Sequence, residues 1–248
     1  MASALSESQP SSKKVLITGV SKGLGRALAL ELANRGHTII GCSRDQTRLD
    51  SLHEELSRSS LNQHFLFKGD VKSNNSVEEF AQVVAERKLV PDIIVNNAAF
   101  INRNGKIWEV DVEEFDNVID TNIKGIANVL RHFIPPMISN QQGIIINMSS
   151  ISGRKAHEYI APYSASKWAV EGLSKSVAKE LPEGIAIVAL DPGTIYTDML
   201  VSFFGDLASK YQSPERWAVK AATMILNLTP SDNGASLTVE NPTELSIE

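Results

Sequence analysis

Short runs of apolar residues alternate along the chain with longer stretches whose apolar residues recur at helical spacing. The run Val15–Thr18 ends at Gly19, and Leu24, Leu28 and Leu32 follow at intervals of four residues. Apolar residues stand side by side within the short runs, which is typical of strands buried on both faces. The pattern predicts one doubly wound α/β domain, with a seven-stranded parallel sheet and helices on both faces. The predicted strands are centred on residues 15–18, 38–42, 65–67, 93–95, 144–146, 185–190 and 237–239.

Capping and breaking residues predict where several helices begin and end. Ser76–Glu79 fits a capping box at the start of a helix. A long helix from Glu113 to Ile134 is expected to end at Pro135–Pro136, because proline lacks the N–H that continues a helix. Ser213 is expected to cap a helix that begins at Pro214 and runs to Leu228.

Composition and charge exclude several classes of protein. The net charge of −5 over 248 residues gives no general attraction to nucleic acid or anionic membranes. Cys42 is the single cysteine, so no intrachain disulfide can form and a reducing compartment is favoured. No apolar run is long enough to suggest a membrane span. We expect a disordered tail at 1–12, one catalytic domain at 13–248, and a cytoplasmic location.

The first strand is followed by a glycine-rich turn that is typical of nucleotide binding. Thr18–Gly25 has glycines at its second, sixth and eighth positions and leads directly into a helix. Glycines allow a tight turn and close approach to a pyrophosphate, and the helix N-terminus offers N–H donors and a positive dipole end. The turn therefore predicts a Rossmann-type dinucleotide site beyond the carboxyl ends of the strands.

A second candidate site lies on a predicted helix at Tyr163–Leu181. Tyr163 and Lys167 are four residues apart and share one face of that helix. An ammonium group close to the phenol is expected to lower its pKa, so that Tyr163 can transfer protons. Ser150 follows the fifth strand at the same sheet edge, whereas its neighbour Ser149 is interpreted as an ordinary loop serine.

Together these residues resemble the short-chain dehydrogenase/reductase family, from Lys14 to about Val239. The resemblance implies a Rossmann-type oxidoreductase that uses a nicotinamide dinucleotide and no metal. The matching motifs are Thr18–Gly25, Asp70–Val71, Asn96–Ala98, Asn122, the set Ser150, Tyr163 and Lys167, and Pro192–Thr197.

The resemblance also implies a role for each catalytic residue. Tyr163 is the general acid that protonates a carbonyl oxygen, and Lys167 lowers its pKa and holds the nicotinamide ribose. Ser150 donates a hydrogen bond to the developing alkoxide, and Asn122 supports a water relay from Lys167. The expected cofactor-binding residues are Gly19, Ser21, Lys22, Gly23, Leu24, Gly25, Ser43, Arg44, Asp70, Val71, Asn97, Ala98, Tyr163, Lys167, Pro192, Gly193, Ile195 and Thr197.

The end of the second strand predicts NADPH rather than NADH. An acidic residue there selects NAD, whereas an arginine accommodates the 2′-phosphate of NADP. The strand ends at Ser43, and Arg44 follows at once. Lys22 is expected beside the same phosphate, and Asp45 is expected to point away.

The substrate is expected to be a small aldehyde or ketone on a planar or apolar ring. Residues 194–211 are expected to form a lid over it. The sequence as a whole, including Pro214–Leu228, also resembles plant members of the family that reduce pterin aldehydes with NADPH. The candidate substrate residues are Ser152, Arg154, His157, Tyr159, Tyr196, Met199, Phe203 and Phe204.

Two alternatives stay open, and one departure from the family pattern bears on the second of them. Ala99 stands where the family has a glycine beside the cofactor. An NAD-dependent alcohol dehydrogenase would use the same catalytic set in the opposite direction, and a nucleotide-binding cyclase or regulatory protein would show no net redox turnover. Family members usually pair through two long helices, here around Glu113–Ile134 and Tyr163–Leu181, so a homodimer or homotetramer is expected.

Overall fold

The computed structural model describes residues 12–239, which form one seven-stranded sheet. The strands are β1 (Lys14–Thr18), β2 (Thr38–Ser43), β3 (Phe65–Lys68), β4 (Ile93–Asn96), β5 (Gly143–Met148), β6 (Ile185–Asp191) and β7 (Ser236–Thr238). Their order across the sheet is β3-β2-β1-β4-β5-β6-β7, and every neighbouring pair is parallel. The predicted doubly wound parallel fold is confirmed.

Eight α-helices connect the described strands. They are α1 (Gly23–Asn34), α2 (Gln46–Ser59), α3 (Asn74–Glu86), α4 (Val112–Ile119), α5 (Gly125–Ser139), α6 (Ala161–Ala178), α7 (Asp198–Phe204) and α8 (Pro214–Asn227). A π-helical turn at Asp120–Lys124 joins α4 to α5, and short 3₁₀ turns occupy Ile151–Gly153, Gly205–Lys210 and Pro230–Asp232.

Alternate side chains of the strands pack into two separate cores. Val15 and Ile17 of β1 join a cluster with α1, α2 and α8, whereas Leu16 joins a cluster with α3, α5 and α6. In the second core the rings of Phe80 and Phe133 meet edge to face at 5.5 Å. Burial on both faces explains why the strands read as continuous apolar runs.

The prediction that the helix would end at Pro135–Pro136 is wrong. α5 continues through both prolines to Ser139. Phe133 and Met137 are both fully buried one turn apart, so the apolar face of the helix continues past the proline pair. Neither proline has an N–H, so the carbonyl groups of Arg131 and His132 lose the helical partners that residues 135 and 136 would otherwise supply.

The predicted capping box at Ser76 is also wrong. Ser73 caps α3, because its extended backbone lets its hydroxyl accept the Ser76 N–H at 3.3 Å. The Ser76 hydroxyl instead accepts the Asp70 N–H at 3.1 Å. The predicted cap of α8 is confirmed, since the Ser213 hydroxyl accepts the Arg216 N–H.

The predicted tail lies outside the described residues except for Ser12, whose hydroxyl donates to the Gly36 carbonyl at 2.8 Å. The predicted lid segment, 194–211, contains α7 and the 3₁₀ turn Gly205–Lys210. Within 12–239, none of the helices combines the length and the apolar character that crossing a membrane requires.

Candidate active site

The glycine-rich turn after β1 packs directly against the turn after β4. Gly19 has a φ of 65°, a left-handed conformation that favours glycine, and a Cβ there would come within 2.9 Å of the Ala98 Cα. A Cβ on Gly25 would come within 2.5 Å of both the Gly19 oxygen and the Asn97 Nδ2. Asn97 Nδ2 in turn donates to the Thr18 carbonyl at 2.9 Å. Both glycines are therefore required by the packing of the two turns.

The N-terminus of α1 suits an anionic group. Lys22 is the N-cap residue, but its side chain makes no capping hydrogen bond. The first turn, which includes the half-buried Leu24, carries no acidic residue. Its leading N–H groups and the positive end of the helix dipole are thus not neutralised by a side chain, as a pyrophosphate would need.

The carboxyl end of β2 carries polar and charged groups that suit the adenosine ribose of a dinucleotide. The hydroxyls of Ser21 and Ser43 lie 2.6 Å apart. Arg44 is exposed and makes no hydrogen bond or ion pair with any other residue in 12–239. Asp45 is directed to its own helix, where it accepts the Arg48 N–H at 3.1 Å. A guanidinium without a partner in 12–239 therefore follows β2 directly, and the carboxylate of the next residue, Asp45, is engaged by Arg48.

Lys22 lies in the glycine turn itself and contacts the predicted lid. Its ammonium nitrogen is 3.5 Å from a carboxylate oxygen of Asp198 in α7, and both side chains are largely exposed. The contact joins the glycine turn to the predicted lid. A surface pair of this kind contributes little stability, so Asp198 does not hold the Lys22 ammonium tightly.

The Asp70–Val71 turn lies beyond β3. The Asp70 carboxylate accepts the Lys72 N–H at 3.0 Å. Val71 is buried, and a Cβ on Gly125 would come within 2.9 Å of it. These contacts fix the turn against the beginning of α5.

Tyr163 and Lys167 lie buried on α6, facing the end of β5. Lys167 Nζ donates to the Met148 carbonyl at 2.8 Å and lies 5.4 Å from the centre of the Tyr163 ring. The Ser150 hydroxyl accepts the Ser152 N–H at 3.1 Å, and the Ser150 side chain is close enough to Tyr163 to oppose part of the rise in its pKa. Three of the four residues expected to be catalytic, Ser150, Tyr163 and Lys167, are therefore brought together.

The expected lowering of the Tyr163 pKa is not found. Burial raises the pKa of Tyr163 to about 12, against the opposing hydrogen bond from Ser150, and the nearby Asp191 carboxylate raises it further. Burial also lowers the pKa of Lys167 to about 8, although Asp191 opposes that change. The low polarity of the buried site, which the sequence analysis left out, outweighs the proximity of the ammonium group.

Asn122 lies in the π-helical turn and is fully buried. Its amide accepts the Phe100 N–H at 2.8 Å and donates to the Phe100 carbonyl and to Ser166 Oγ, both at 2.9 Å. Asn122 therefore joins the loop after β4, which contains Ala99, to α6 one residue before Lys167. It makes no hydrogen bond to Lys167 itself.

The Pro192–Thr197 segment begins the lid. Gly193 has a φ of 76°, and its N–H donates to the Asp191 carboxylate at 2.9 Å. Ile195 is buried and pairs with Gln212 in an isolated bridge. Thr197 caps α7 by accepting the Leu200 N–H at 3.2 Å. This segment is consequently anchored at both ends.

The aromatic residues of the lid pack on one another. The rings of Phe203 and Phe204 meet edge to face at 4.5 Å, and the Phe203 carbonyl accepts a hydrogen bond from Asn104 at 3.1 Å. Tyr196 is exposed, and Met199 is half-buried.

The remaining candidate substrate residues follow β5. Ser152 Oγ lies 3.2 Å from His157 Nδ1, and Tyr159 is exposed with a φ of 66°. Arg154 is engaged within the protein: its three guanidinium nitrogens donate to Glu171 Oε1, Thr238 Oγ1 and the Leu237 carbonyl. Its assignment to the substrate stays a prediction, and these contacts count against it.

Residues 13–207 match the family described as short chain dehydrogenase. The chain belongs to the short-chain dehydrogenase family. This short-chain dehydrogenase is 66% identical to an NADPH-dependent pterin aldehyde reductase of Arabidopsis thaliana, over 92% of this chain and 93% of that protein. It is 34% identical to a 3-oxoacyl-[acyl-carrier-protein] reductase of Staphylococcus epidermidis, over 79% of this chain and 80% of that protein.

A solved short-chain dehydrogenase from Shigella flexneri, complexed with NADP, has the same fold. Its TM-score is 0.85 at 20% identity, covering 93% of this chain and 98% of that one. The family is an oxidoreductase family, and the chain is an enzyme of that class.

Sequence reasoning missed two buried acids of this short-chain dehydrogenase. Glu171 accepts a hydrogen bond from Ser149, which the sequence analysis had set aside as an ordinary loop serine. Asp191 is buried at the end of β6, next to the Pro192 that the motif includes. The position of Glu171 four residues after Lys167 is the one signal that could have indicated it, because that spacing continues the same face of the helix.

Proposed function

We propose that this short-chain dehydrogenase reduces an aldehyde or ketone with NADPH, and that Tyr163 is the proton donor. The observation that carries the proposal is the buried Tyr163–Lys167 pair, which faces Ser150 at the sheet edge where the glycine turn also lies. In open α/β sheets, ligands bind beyond the carboxyl ends of the strands.

The phenol is suited to donate a proton. With its pKa raised to about 12, Tyr163 is protonated at neutral pH. It donates that proton to the carbonyl oxygen as the oxygen becomes negative, while Ser150 donates a hydrogen bond to the same oxygen. The cofactor supplies the hydride when it is bound. Addition of one hydride and one proton converts the carbonyl group to an alcohol.

Lys167 and Asn122 support this step. The Lys167 ammonium faces the Tyr163 ring, where it stabilises the phenolate left after proton donation. Asn122 hydrogen bonds both to the loop after β4 and to α6, and so holds that loop in a fixed position beside Lys167. A water relay from Lys167 past Asn122 would return the proton to Tyr163.

The chain offers groups for each part of NADPH. The leading N–H groups of α1 would hold the pyrophosphate, and Asp70 and Val71 would flank the adenine. Arg44 would bind the 2′-phosphate, because it is exposed and unopposed. Lys167 would hold the nicotinamide ribose. The other residues proposed to line the cofactor are Gly19, Ser21, Lys22, Gly23, Leu24, Gly25, Ser43, Asn97, Ala98, Tyr163, Pro192, Gly193, Ile195 and Thr197.

A pterin aldehyde is the substrate that we propose to test first. The Arabidopsis thaliana relative supports it, because that protein is named for this activity and is 66% identical to the chain over 93% of its own length. Phe203 and Phe204 also support it, since aromatic side chains in a lid can stack on a planar ring. The other proposed substrate residues are Ser152, His157, Tyr159, Tyr196 and Met199.

The test is a carbonyl panel assayed by loss of NADPH absorbance. It contains pterin aldehydes, aromatic aldehydes, cyclic ketones and a 3-oxoacyl thioester, and each is repeated with NADH and with the Tyr163→Phe variant. Turnover of a pterin aldehyde that needs both NADPH and Tyr163 is expected. Oxidation of alcohols with NAD alone would favour an alcohol dehydrogenase, and no turnover of any member would favour a cyclase or a regulatory protein.

We further propose a cytoplasmic enzyme that assembles as a homodimer or homotetramer, with residues 13–248 as one catalytic domain and 194–211 as its lid. The single cysteine supports the reducing compartment. Light scattering of the purified protein and microscopy of a tagged full-length chain test the assembly and the location.

A further inference from the structure

Three residues of one stripe of α6 hold the three residues of the turn Met148–Ser150. The stripe consists of Tyr163, Lys167 and Glu171, at intervals of four residues. Lys167 binds the carbonyl of the first turn residue at 2.8 Å, and Glu171 accepts the hydroxyl of the second at 2.7 Å. The side chain of the third, Ser150, acts on the Tyr163 hydroxyl, where it opposes part of the rise in the Tyr163 pKa. Glu171 thus acts on the same short turn as the two proposed catalytic residues.

The Glu171 carboxylate is buried and ionised. Only 5% of the residue is exposed, and Arg154 Nε lies 2.9 Å from its Oε1. Ser236 Oγ donates to the other oxygen, Oε2, at 2.5 Å. Burial alone would raise the pKa of Glu171, but hydrogen bonds from Ser236, Ser149 and Arg154 together lower it. Both oxygens are therefore fixed in direction by partners within the protein.

Arg154 extends this network to the edge of the sheet. Its two terminal nitrogens donate to Thr238 Oγ1 and to the Leu237 carbonyl, each at 2.8 Å. Ser236 donates directly to Glu171. All three residues of β7 therefore contact either the Glu171 carboxylate or the Arg154 guanidinium that pairs with it. The position of Glu171 is thus set from outside the catalytic turn.

The turn itself has little room to move on α6. A Cβ on Gly153 would come within 2.7 Å of the Lys167 carbonyl oxygen and 2.9 Å of Ser149 Oγ. The backbone after the turn therefore lies directly on the helix. A small rotation at Ser149 would be transmitted to its neighbour Ser150, since nothing flexible separates them.

We propose that Glu171 is a positioning residue for carbonyl reduction: by holding Ser149, it directs the Ser150 hydroxyl toward Tyr163. The inference rests on the proposed function, because it requires Ser150 and Tyr163 to be the reacting residues. Glu171 itself need not touch the substrate. Small errors in the placement of reacting groups lower rates steeply, so the effect of losing this contact is measurable.

The decisive variant is Ser149→Ala, which removes the donor to Glu171 and leaves the pair with Arg154 intact. We expect kcat for reduction to fall about ten- to a hundredfold, with little change in the NADPH dissociation constant. We also expect the basic limb of the pH profile to move to higher pH, because a misdirected Ser150 lowers the pKa of Tyr163 less. A loss of fold alone would reduce the amplitude of the profile without moving it.

Glu171→Gln and the double variant complete a mutant cycle. If Glu171 acts through Ser149, the double variant is no slower than the slower single variant. Effects of the two substitutions that simply multiply would overturn the proposal, because Glu171 would then act by another route. If Glu171→Gln fails to fold because Arg154 loses its partner, the Ser149→Ala rates and pH profile decide alone.

Ser176→Ala is the matched control, since it removes an exposed hydroxyl from the same helix. Wild-type kcat and pH profile in Ser149→Ala, together with an inactive Tyr163→Phe, would overturn the positioning role and leave the proposed function standing. Wild-type turnover in Tyr163→Phe would overturn both.

Discussion

The ammonium nitrogen of Lys167 lies 5.4 Å from the centre of the Tyr163 ring, one turn further along the same buried face of α6. Burial acts on the two groups in opposite directions. It raises the pKa of Tyr163 to about 12 and lowers that of Lys167 to about 8. Both changes favour the neutral form of each group, because a buried charge has lost its hydration.

Replacing Tyr163 with phenylalanine removes the proposed proton donor and keeps the ring. A general acid typically contributes about 10²–10⁴-fold, so we expect kcat for reduction to fall by about that factor. The NADPH dissociation constant, measured by fluorescence titration, should change little because the hydroxyl does not carry the binding of the nucleotide. A variant that keeps wild-type turnover would remove Tyr163 from its role.

Replacing Lys167 with methionine should abolish turnover and stabilise the cofactor-free protein at pH 7. The buried ammonium has a pKa of about 8 rather than 10.5, so folding costs free energy while the lysine is charged in the unfolded chain. We expect a gain of about 1–3 kcal/mol in the free energy of unfolding, measured in urea.

The pH dependence of this gain identifies its cause. The cost in the wild type is fully present below pH 8 and is lost as the pH rises to 10.5, where the unfolded lysine also becomes neutral. The advantage of Lys167→Met should therefore shrink over that range. Lys175→Met, an exposed change on the same helix, should alter stability little at any pH. An advantage that is constant with pH would instead indicate better packing.

The sheet and the motif positions could be predicted from sequence because they depend on local pattern. Strands such as Ile93–Asn96 are buried on both faces, so their residues are continuously apolar whatever surrounds them. The glycine turn could be found for a similar reason, since a left-handed φ at Gly19 restricts the residue type.

Contacts between distant residues could not be predicted in this way. Two partners of Arg154 lie on β7, more than 80 positions along the chain, and no local pattern around Arg154 indicates them. The course of α5 through Pro135 depends on the burial of Met137, which local propensity does not contain. The Tyr163 pKa likewise depends on the burial of the phenol. The spacing of Tyr163 and Lys167 in the sequence indicates only that a lysine is nearby.

Two histidines at the amino-terminal side of the sheet should make the protein sensitive to acid. His37 Nδ1 accepts the Lys13 N–H and His64 Nδ1 accepts the Ile39 N–H, each at 3.1 Å. Protonation of either ring nitrogen would replace the acceptor with a donor. Burial lowers the pKa of both rings below 6.5, so their contribution to stability is present above pH 6.5 and is lost as the pH falls below it.

We expect the free energy of unfolding to fall between pH 7 and pH 5, and His37→Gln to reduce that dependence on pH. Urea unfolding at a series of pH values measures both. His53→Gln is the matched control, because His53 is exposed. An unchanged slope in His37→Gln would assign the acid sensitivity to other groups.

Replacing Arg44 with alanine should weaken NADPH binding and leave NADH binding unchanged. The guanidinium is exposed beside the glycine turn and has no partner within 12–239. Hydrogen bonds to charged groups contribute roughly 1.5–3 kcal/mol, which corresponds to about a ten- to hundredfold rise in the NADPH dissociation constant. Calorimetric titration with each nucleotide measures the two constants.

Arg48→Ala is the control for a general loss of positive charge, because Arg48 lies in the first turn of α2 and pairs with Asp45 at 3.2 Å. It should change the preference for NADPH little. The Arg44 effect should also diminish at high salt, since an exposed phosphate–guanidinium contact is screened. If the Arg44→Ala variant still prefers NADPH to NADH, Lys22 is the next candidate for binding the 2′-phosphate. In that case Lys22→Ala should weaken NADPH binding. Its ion pair with Asp198 at 3.5 Å would in that case exchange for the phosphate when NADPH binds.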